Sequence, residues 1–296
     1  MREKTLKKGP IALIGAGGQL GQDLQKLLPK KSLRAFCRPE LDVLDFARVR
    51  EILVPLSPSI VINTTAFNRV DDCEREVASA FSVNAFAVRN LAEVCRELGC
   101  PLVHFSTDYV FDGLKGTPYM EEDPPRPLSI YGASKLLGES LIRATWEQHF
   151  IVRTSALFGI SGSSGKGGNF VETMLRLARD KKPIRVVSNQ VTSPTFTGDL
   201  AAAALKFIEG IPFGTYHLTN NGSTSWLDFA RAIFKAAGLS PNLSPISSRD
   251  FGAPARRPAY SVLENQRWKG LGFKPLAPWE EGLKRYLERR VRGIDG

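Results

Sequence analysis

Short apolar runs alternate with amphipathic segments along the first half of the chain. The apolar runs are residues 10–15, 33–37, 59–64, 101–107 and 150–159. Each is apolar over most of its length, which is typical of strands buried on both faces. The segments between them have apolar residues at helical spacing and predict helices at 18–28, 46–54, 74–98 and 131–145. The alternation predicts an α/β fold built on a Rossmann-like, doubly wound parallel sheet.

The pattern changes after residue 159. The segment "SGSSGKGGN" at 161–169 is rich in Gly and Ser, and a predicted helix follows it to about Asp180. Next come a strand, "IRVVS", and a helix near 197–209. A closing helix is predicted to begin near Trp279.

These changes divide the chain into two predicted units. The first is a Rossmann-type domain at 1–160, whose sheet is completed by 183–209. The second is a smaller, interleaved C-terminal lobe formed by 161–182 and 210–296. In such folds the domain binds the cofactor and the lobe contributes the substrate site, which is the assignment we make here.

Three glycines follow the first predicted strand at equal spacing. They are Gly15, Gly18 and Gly21 in "GAGGQLG", and they open the first helix. Glycine suits a tight turn, a close backbone approach to a pyrophosphate and close helix–strand packing. The amides and dipole of the helix start then face the phosphates. The pattern predicts a dinucleotide site.

The end of the second strand separates the two nicotinamide cofactors. An acidic residue there would bind the ribose hydroxyl of NAD, whereas an arginine accommodates the 2′-phosphate of NADP. The sequence reads "AFCRPELD", with Arg38 at the tip and no acid before Glu40. It favours NADPH. NADH stays open because Arg38 is also compatible with a solvated loop.

Four residues with hydroxyl, phenol and amine groups follow the later strands. Ser106 and Thr107 end the fourth strand, and Tyr131 and Lys135 lie one helical turn apart on the next helix. A hydroxyl can hold a carbonyl oxygen, a phenol can protonate it, and an ammonium can lower the phenol pKa. A Tyr–Lys pair at this spacing is common by chance, and a packing role is its alternative. Beside the glycine loop, it predicts carbonyl reduction.

Composition narrows the partners. The net charge is +10, and the Lys and Arg residues are scattered, which favours small anionic ligands over nucleic acid. No apolar run approaches the ~18 residues of a membrane span, so we expect no membrane partner. The four cysteines form no CxxC pair, and the three histidines are far apart in the sequence. We therefore expect a cytoplasmic protein with reduced thiols and no metal.

Several motifs together resemble one family. They are "GQLG", "LDVLD", "VINTTAFNRVDDCE", "SVNAFAVRNLA", "FSTDYVFDG", "PLSIYGASKLLGE", "RTSALFG", "NFVETML" and "RRPAYSVL". The chain resembles the dTDP-4-dehydrorhamnose reductases, which are extended short-chain dehydrogenases/reductases, from about residue 10 to residue 287. The resemblance implies NADPH-dependent reduction of dTDP-4-dehydro-β-L-rhamnose to dTDP-L-rhamnose, a step toward cell-surface polysaccharide.

The resemblance also implies roles for individual residues. It makes Thr107, Tyr131 and Lys135 the catalytic trio. Tyr131 and Lys135 also contact the cofactor. It adds to Arg38 a set of cofactor contacts: Gly15, Gly18, Gln19, Leu20, Gly21, Asp42, Val43, Thr65, Ala66 and Phe67. It places beside the sugar nucleotide Ser106, Thr107, Tyr131, Asn169 and Phe170.

The chain departs from the family at one motif. The family's DQxGxPT pattern reads "NQVTSPT" here, with Asn189 and Thr192 at the changed positions. Some members bind magnesium through carboxylates at a dimer interface, and Asp23 corresponds to one of these. Because Asn189 replaces the family's acid, we predict no metal. A homodimer stays open. So do a related nucleotide-sugar epimerase, dehydratase or reductase and a non-catalytic regulatory subunit.

Overall fold

The structure is a computed structural model that describes residues 8–161 and 168–294. Residues 162–167, most of the Gly/Ser segment, lie outside the described residues, as do residues 1–7. No helix in the ranges described combines the length and the apolar character that a membrane crossing requires.

The strands and helices follow the alternation expected from the sequence. The strands are β1 (Ile11–Ile14), β2 (Leu33–Phe36), β3 (Ile60–Asn63), β4 (Leu102–Thr107), β5 (His149–Thr154), β6 (Leu157–Phe158), β7 (Ile184–Val187), β8 (Val191–Thr192), β9 (Thr195–Phe196), β10 (Gly214–His217), β11 (Thr224–Ser225) and β12 (Leu243–Ile246). The α-helices are α1 (Gln19–Leu27), α2 (Phe46–Leu56), α3 (Val70–Cys73), α4 (Val77–Phe81), α5 (Ala87–Leu98), α6 (Ile130–Thr145), α7 (Phe170–Arg179), α8 (Thr197–Ala204), α9 (Trp226–Ala236), α10 (Ser248–Phe251), α11 (Gln266–Gly270) and α12 (Trp279–Ile294).

The central sheet has six strands in the order β10-β5-β4-β3-β1-β2. Every pair in it is parallel, and β1, β3, β4 and β5 are buried along their whole length. The chain leaves β1 toward β2 on one side and returns to β3 on the other. Ligands of open α/β sheets bind at the carboxyl ends of the strands at such a switch point. The predicted fold class is confirmed.

The segment predicted as one helix at 74–98 is broken. A π-helical turn at Ser82–Phe86 separates α4 from α5. Gly138 of α6 lies against this turn, where an added Cβ would stand 2.2 Å from the Asn84 carbonyl oxygen. The Asn84 side chain bonds both the N–H and the C=O of Phe67. These tertiary contacts occur at the widened turn, and apolar spacing alone carries no sign of them.

The sheet is not completed where the sequence predicted. Within 183–209, strand β7 pairs with β12 in a separate two-stranded sheet. The sixth strand of the central sheet is instead β10, at Gly214–His217, which pairs with β5. Helix α8, which also lies within 183–209, packs beside α1, and its Leu200 belongs to the apolar cluster that covers the sheet. The division of the chain into a cofactor domain and a substrate lobe stays a prediction.

Two separate apolar clusters, which we call the sheet core and the lobe core, draw residues from alternating parts of the chain. The sheet core includes Leu24, Phe150, Leu200, Tyr216 and Trp268. The lobe core includes Phe158, Met174, Phe196, Leu227, Phe229, Trp279 and Tyr286. Within the described ranges the chain passes between these cores five times. It arrives successively at Phe158, Leu200, Leu227, Trp268 and Trp279.

Candidate active site

The glycine loop fills the turn between β1 and α1. Gly15 has φ +83°, in the left-handed region that favours glycine. A Cβ on Gly21 would stand 2.4 Å from the Gly15 carbonyl oxygen. Gly18 is the N-cap of α1 and offers no side-chain bond to the first turn. This bare helix start fits a pyrophosphate group.

The other loop residues hold the loop in place. The Gln19 Oε1 accepts from the Gly159 N–H at 2.9 Å and from the Asn169 Nδ2 at 3.2 Å. Leu20 is buried in the sheet core, so its side chain supports α1. Gln19 therefore joins the glycine loop to the segment that precedes α7.

Residues after β2 lie at the carboxyl end of that strand, next to the β1–α1 turn. The Arg38 side chain is 80% exposed, and its Nε lies 3.2 Å from the Asp42 Oδ2. Val43 is buried among apolar residues, which leaves its backbone for any ligand contact. After β3, the Thr65 N–H and hydroxyl both donate to the Asn63 Oδ1. Ala66 and Phe67 follow Thr65. Residues 65–67 therefore lie just beyond the carboxyl end of β3, which is the neighbour of β1 at the switch point.

Thr107 and Tyr131 lie together at the carboxyl end of β4. The Thr107 hydroxyl donates to the Asp108 Oδ1 at 3.0 Å and accepts from the Tyr109 N–H at 3.1 Å. Burial raises the pKa of the Tyr131 phenol, and the Thr107 hydroxyl lies close enough to the phenol to lower that pKa by a smaller amount. Burial raises the pKa of Asp108 to about 6, although three side-chain hydrogen bonds oppose it. The structure thus brings the predicted hydroxyl and phenol together.

Ser106 is directed elsewhere. Consecutive residues of a strand point to opposite faces, and the Ser106 hydroxyl donates to the Glu139 Oε1 at 2.6 Å. Glu139 also binds the Arg153 Nη2 at 2.8 Å and the Arg143 Nη2 at 2.7 Å. Burial raises the pKa of Glu139, but the arginines and Ser106 outweigh it and lower the pKa overall. This bond engages the Ser106 hydroxyl within the protein, and its place beside the substrate stays a prediction.

Lys135 is buried on α6, one helical turn after Tyr131. Its Nζ lies 2.7 Å from the Phe105 carbonyl oxygen and 3.0 Å from the His104 Nε2. Burial lowers the pKa of Lys135 to about 7. We expected its ammonium to lower the phenol pKa, yet the Tyr131 pKa is raised, first by burial and then by the Asp108 charge. The amine is engaged by His104 and the Phe105 carbonyl, and its effect on the phenol stays a prediction.

Sequence reasoning missed several polar residues around the trio. They are Asn63, Asn84, His104 and Asp108, all of them buried. A signal existed for Asn63 and His104, since both lie in fully buried strands: Asn63 ends β3, and His104 stands between apolar residues of β4. A buried polar group needs hydrogen-bond partners, so such a residue indicates a specific contact.

A cavity of about 660 Å³ opens beside Tyr109, whose ring centroid lies 6.0 Å from that of Tyr131. Its lining residues include Phe170, Trp226 and four arginines: Arg185, Arg249, Arg256 and Arg257. Asn169 is not among the residues that line this cavity. It is the N-cap of α7, where its Oδ1 accepts from the Glu172 N–H at 3.1 Å. Its Nδ2 donates to the Gly159 carbonyl oxygen at 2.9 Å.

The residue corresponding to the family's metal ligand is engaged within the chain. The Asp23 carboxylate accepts from the Thr197 hydroxyl at 2.5 Å and from the Lys26 Nζ at 2.9 Å. Over the part of the chain that the structure describes, no three His, Cys, Asp or Glu residues are grouped as metal ligands would be.

The parallel sheet, the glycine loop at its switch point and the Thr–Tyr–Lys set define the class: a Rossmann-type oxidoreductase of the extended short-chain dehydrogenase/reductase kind. The family model described as "RmlD substrate binding domain" matches residues 9–292. The chain belongs to this family, the dTDP-4-dehydrorhamnose reductases.

Individual relatives cover nearly the whole chain. A spore coat polysaccharide biosynthesis protein, SpsK of Bacillus subtilis, is 41% identical over 96% of this chain and 99% of its own. The dTDP-4-dehydrorhamnose reductase of Streptomyces griseus is 40% identical over 92% of this chain and 90% of its own. The crystal structure of the Bacillus anthracis reductase in complex with NADP has a TM-score of 0.90 and 38% identity. It matches over 96% of this chain and 100% of its own.

Proposed function

We propose that this protein is an NADPH-dependent reductase. It converts the C4 ketone of dTDP-4-dehydro-β-L-rhamnose to the alcohol of dTDP-L-rhamnose, in nucleotide-sugar biosynthesis. The observation that carries the proposal is the proximity of Tyr131 to Thr107 at the carboxyl end of β4, beside the cavity that Tyr109 and the arginines line. Relatives named for this activity match over 92%, 93% and 96% of the chain.

The cofactor site is assigned to the switch point. Gly15, Gly18 and Gly21 leave room for the pyrophosphate at the start of α1. Arg38 takes the 2′-phosphate, with Asp42 and Val43 on the adenine side. Thr65, Ala66 and Phe67 line the cleft after β3. When bound, NADPH supplies the hydride for the substrate carbon.

The chain's own groups handle the proton. Tyr131 donates its phenolic proton to the developing alkoxide at C4, and Thr107 holds that oxygen by its hydroxyl. Lys135, as an ammonium, stabilises the tyrosinate that remains. Before substrate binds, the Thr107 hydroxyl donates its single proton to the Asp108 Oδ1 at 3.0 Å, and it turns from Asp108 to the substrate oxygen in the reaction. Thr107, Asp108 and Lys135 are buried, which limits the access of water to the transfer.

The substrate site is assigned to the cavity. Phe170 and Trp226 give it aromatic walls suited to a base, and their ring centroids are 4.7 Å apart. Arg185, Arg249 and Arg256 offer positive charge to a diphosphate. The volume of about 660 Å³ lies in the range of small-molecule sites. Asn169 then acts as a support for α7, and Phe170 makes the contact.

Turnover tests the proposal against its alternatives. We expect the protein to oxidise NADPH only when the 4-keto sugar nucleotide is added, with dTDP-L-rhamnose as the product. Formation of a 4-keto sugar from dTDP-glucose would indicate a dehydratase instead. NADPH binding without turnover would indicate a regulatory subunit. Replacing NADPH by NADH in the same assay measures the cofactor preference.

Two further properties belong to the proposal. We place the protein in the cytoplasm, where its four cysteines stay reduced. We also propose a homodimer, by analogy with the family. Light scattering on the purified protein measures the second, and a monomeric mass at micromolar concentration would contradict it.

A further inference from the structure

A row of buried polar side chains runs behind the catalytic residues, from the end of β3 to helix α6. It consists of Asn63, His104 and Lys135, and all three are essentially inaccessible. Asn63 Nδ2 lies 3.1 Å from His104 Nδ1, and His104 Nε2 lies 3.0 Å from Lys135 Nζ. The direction of these two bonds fixes where the protons are.

The first bond can be oriented from the backbone. The Thr65 N–H can only donate, and it lies 3.0 Å from the Asn63 Oδ1. This contact fixes the amide, because a flipped Asn63 would set its NH₂ against that N–H. The Asn63 Nδ2 therefore faces His104 and donates to the His104 Nδ1.

The second bond follows from the first. Burial holds the pKa of His104 well below its usual range, so the ring is neutral and carries one proton. Since Nδ1 accepts from Asn63, that proton is on Nε2. The Nε2–H then points at the Lys135 Nζ, and an ammonium has no lone pair to accept it. Only a neutral amine completes the bond.

We propose that Asn63 and His104 are positioning residues that stabilise the neutral amine of Lys135 relative to the ammonium that reduction uses, by hydrogen bonds that all run in one direction. They run from Thr65 to Asn63, from Asn63 to His104 and from His104 to Lys135. The amine in turn donates to the Phe105 carbonyl oxygen at 2.7 Å.

The neighbouring charges leave this arrangement intact. Glu139, on the same helix, faces Lys135 but is bound to Arg153 of β5 and to Arg143. Asp108, after β4, and Cys73 of α3 face Tyr131. The lysine thus exchanges its proton close to neutral pH, at about 7. The catalytic consequence rests on the proposed function: reduction needs the ammonium, so turnover falls as the pH rises through this value.

The tautomer of His104 tests the proposal without substrate or cofactor. The chain has three histidines, and the other two have carbonyl acceptors at Nδ1: Trp146 for His149 and Tyr119 for His217. Those two rings should therefore be Nδ1–H. Long-range proton–nitrogen NMR of the histidine-labelled full chain at pH 8 should show one Nε2–H ring among them. His149→Gln and His217→Gln assign the signals. An Nδ1–H or doubly protonated His104 would overturn the proposal.

The variant Asn63→Asp should reverse the bonds. Its carboxylate can only accept, so His104 must donate from Nδ1 and accept the Lys135 ammonium at Nε2. We expect an Nδ1–H signal for His104 and an alkaline limb of the pH–kcat profile that moves up by about one pH unit or more. Asn90→Asp puts a carboxylate at another buried asparagine, on α5, and should move neither.

The two readouts separate this inference from the proposed function. If the NMR pattern holds but no sugar nucleotide is reduced, the function is wrong and the bond directions stand. If the enzyme reduces its substrate but Asn63→Asp leaves both the His104 tautomer and the pH profile unchanged, the positioning role is wrong. A variant that does not fold leaves the wild-type spectrum as the deciding measurement.

Discussion

At the scale of single residues, the site is built from polar groups that the chain buries and pairs. Thr107 bonds both Asp108 and the Tyr109 N–H, so its hydroxyl is oriented before any ligand arrives. Tyr131 lies against it in an environment that raises the phenol pKa. A phenol that keeps its proton at neutral pH is suited to donate it to an alkoxide.

Removing that phenol should stop catalysis and little else. We expect Tyr131→Phe to lower kcat roughly 10²- to 10⁴-fold, the usual contribution of a general acid. NADPH affinity, measured by fluorescence titration, should stay within about twofold of wild type. Tyr260→Phe, on a partly exposed tyrosine, serves as the control. A Tyr131→Phe enzyme that keeps more than about a tenth of wild-type turnover would rule out the proton-donor role.

Arg38 should discriminate between the cofactors. Its side chain is exposed and pairs only loosely with Asp42, so it is available to a phosphate. Arg38→Ala should raise the KM for NADPH about tenfold and leave that for NADH nearly unchanged. Arg34→Ala removes another exposed arginine, on β2, and should affect neither. Equal effects on both cofactors would reduce Arg38 to a general source of positive charge.

At the scale of elements, most of the fold was predictable and the exceptions have identifiable causes. The first four strands lie within a residue of the predicted runs because burial on both faces leaves a strong apolar signal. The fifth run, predicted at 150–159, is divided into β5 and β6, and β6 pairs with β9 outside the central sheet. The prediction of a single helix at 74–98 was wrong because a π-helical turn, which packs on Gly138, interrupts it. The pairing of β7 with β12 was missed because strand partners distant in sequence leave no local pattern.

The β1–α1 turn should tolerate a methyl group at one glycine and not at another. A Cβ at Gly21 would stand 2.4 Å from the Gly15 carbonyl oxygen, which is backbone and cannot move aside. Gly21→Ala should therefore displace α1, weaken NADPH binding at least tenfold and destabilise the fold by about 1–3 kcal/mol. Calorimetric titration and urea unfolding measure these effects.

Gly17→Ala provides the matched control in the same loop. Its added Cβ would meet only the Cys37 Sγ within 4 Å, at 3.5 Å, an ordinary contact. We expect wild-type affinity and stability. If both variants bound NADPH normally, the close approach of α1 to the turn would not matter to the cofactor.

At the scale of the whole molecule, stability should depend on a carboxyl of the site. The folded pKa of Asp108, about 6, lies above its ordinary value of 3.8. Between these values the folded state holds a proton that the unfolded chain has released, so this group's contribution to stability falls as the pH rises from about 4 to about 6. Asp108→Asn should remove that loss.

Urea unfolding at several pH values checks this. Relative to wild type, Asp108→Asn should gain at most about 2–3 kcal/mol above pH 6, and less where the amide cannot accept the bonds of the carboxylate. The gain should vanish below pH 4. Asp180→Asn, an exposed carboxylate after α7, should show no such pattern. A constant difference at all pH values would mean that Asp108 titrates normally.

The site was less predictable than the fold because its geometry depends on directions that a sequence does not record. Motif matching brought Thr107, Tyr131 and Lys135 to one sheet edge, and the structure places them there. It did not indicate that Ser106 turns to Glu139 or that Lys135 turns to His104. Both partners lie on neighbouring elements, so only the packed structure reveals them.

The five passages of the chain between the sheet core and the lobe core affect how this enzyme can acquire a new specificity. A lobe encoded by one uninterrupted stretch could be exchanged with that of a relative by a single recombination. Here a single crossover would leave each core with side chains from both parents, and their mismatched volumes would destabilise both. We therefore expect viable hybrids to be rare. New sugar preferences should arise by point substitutions at cavity residues such as Arg185, Trp226 and Arg249.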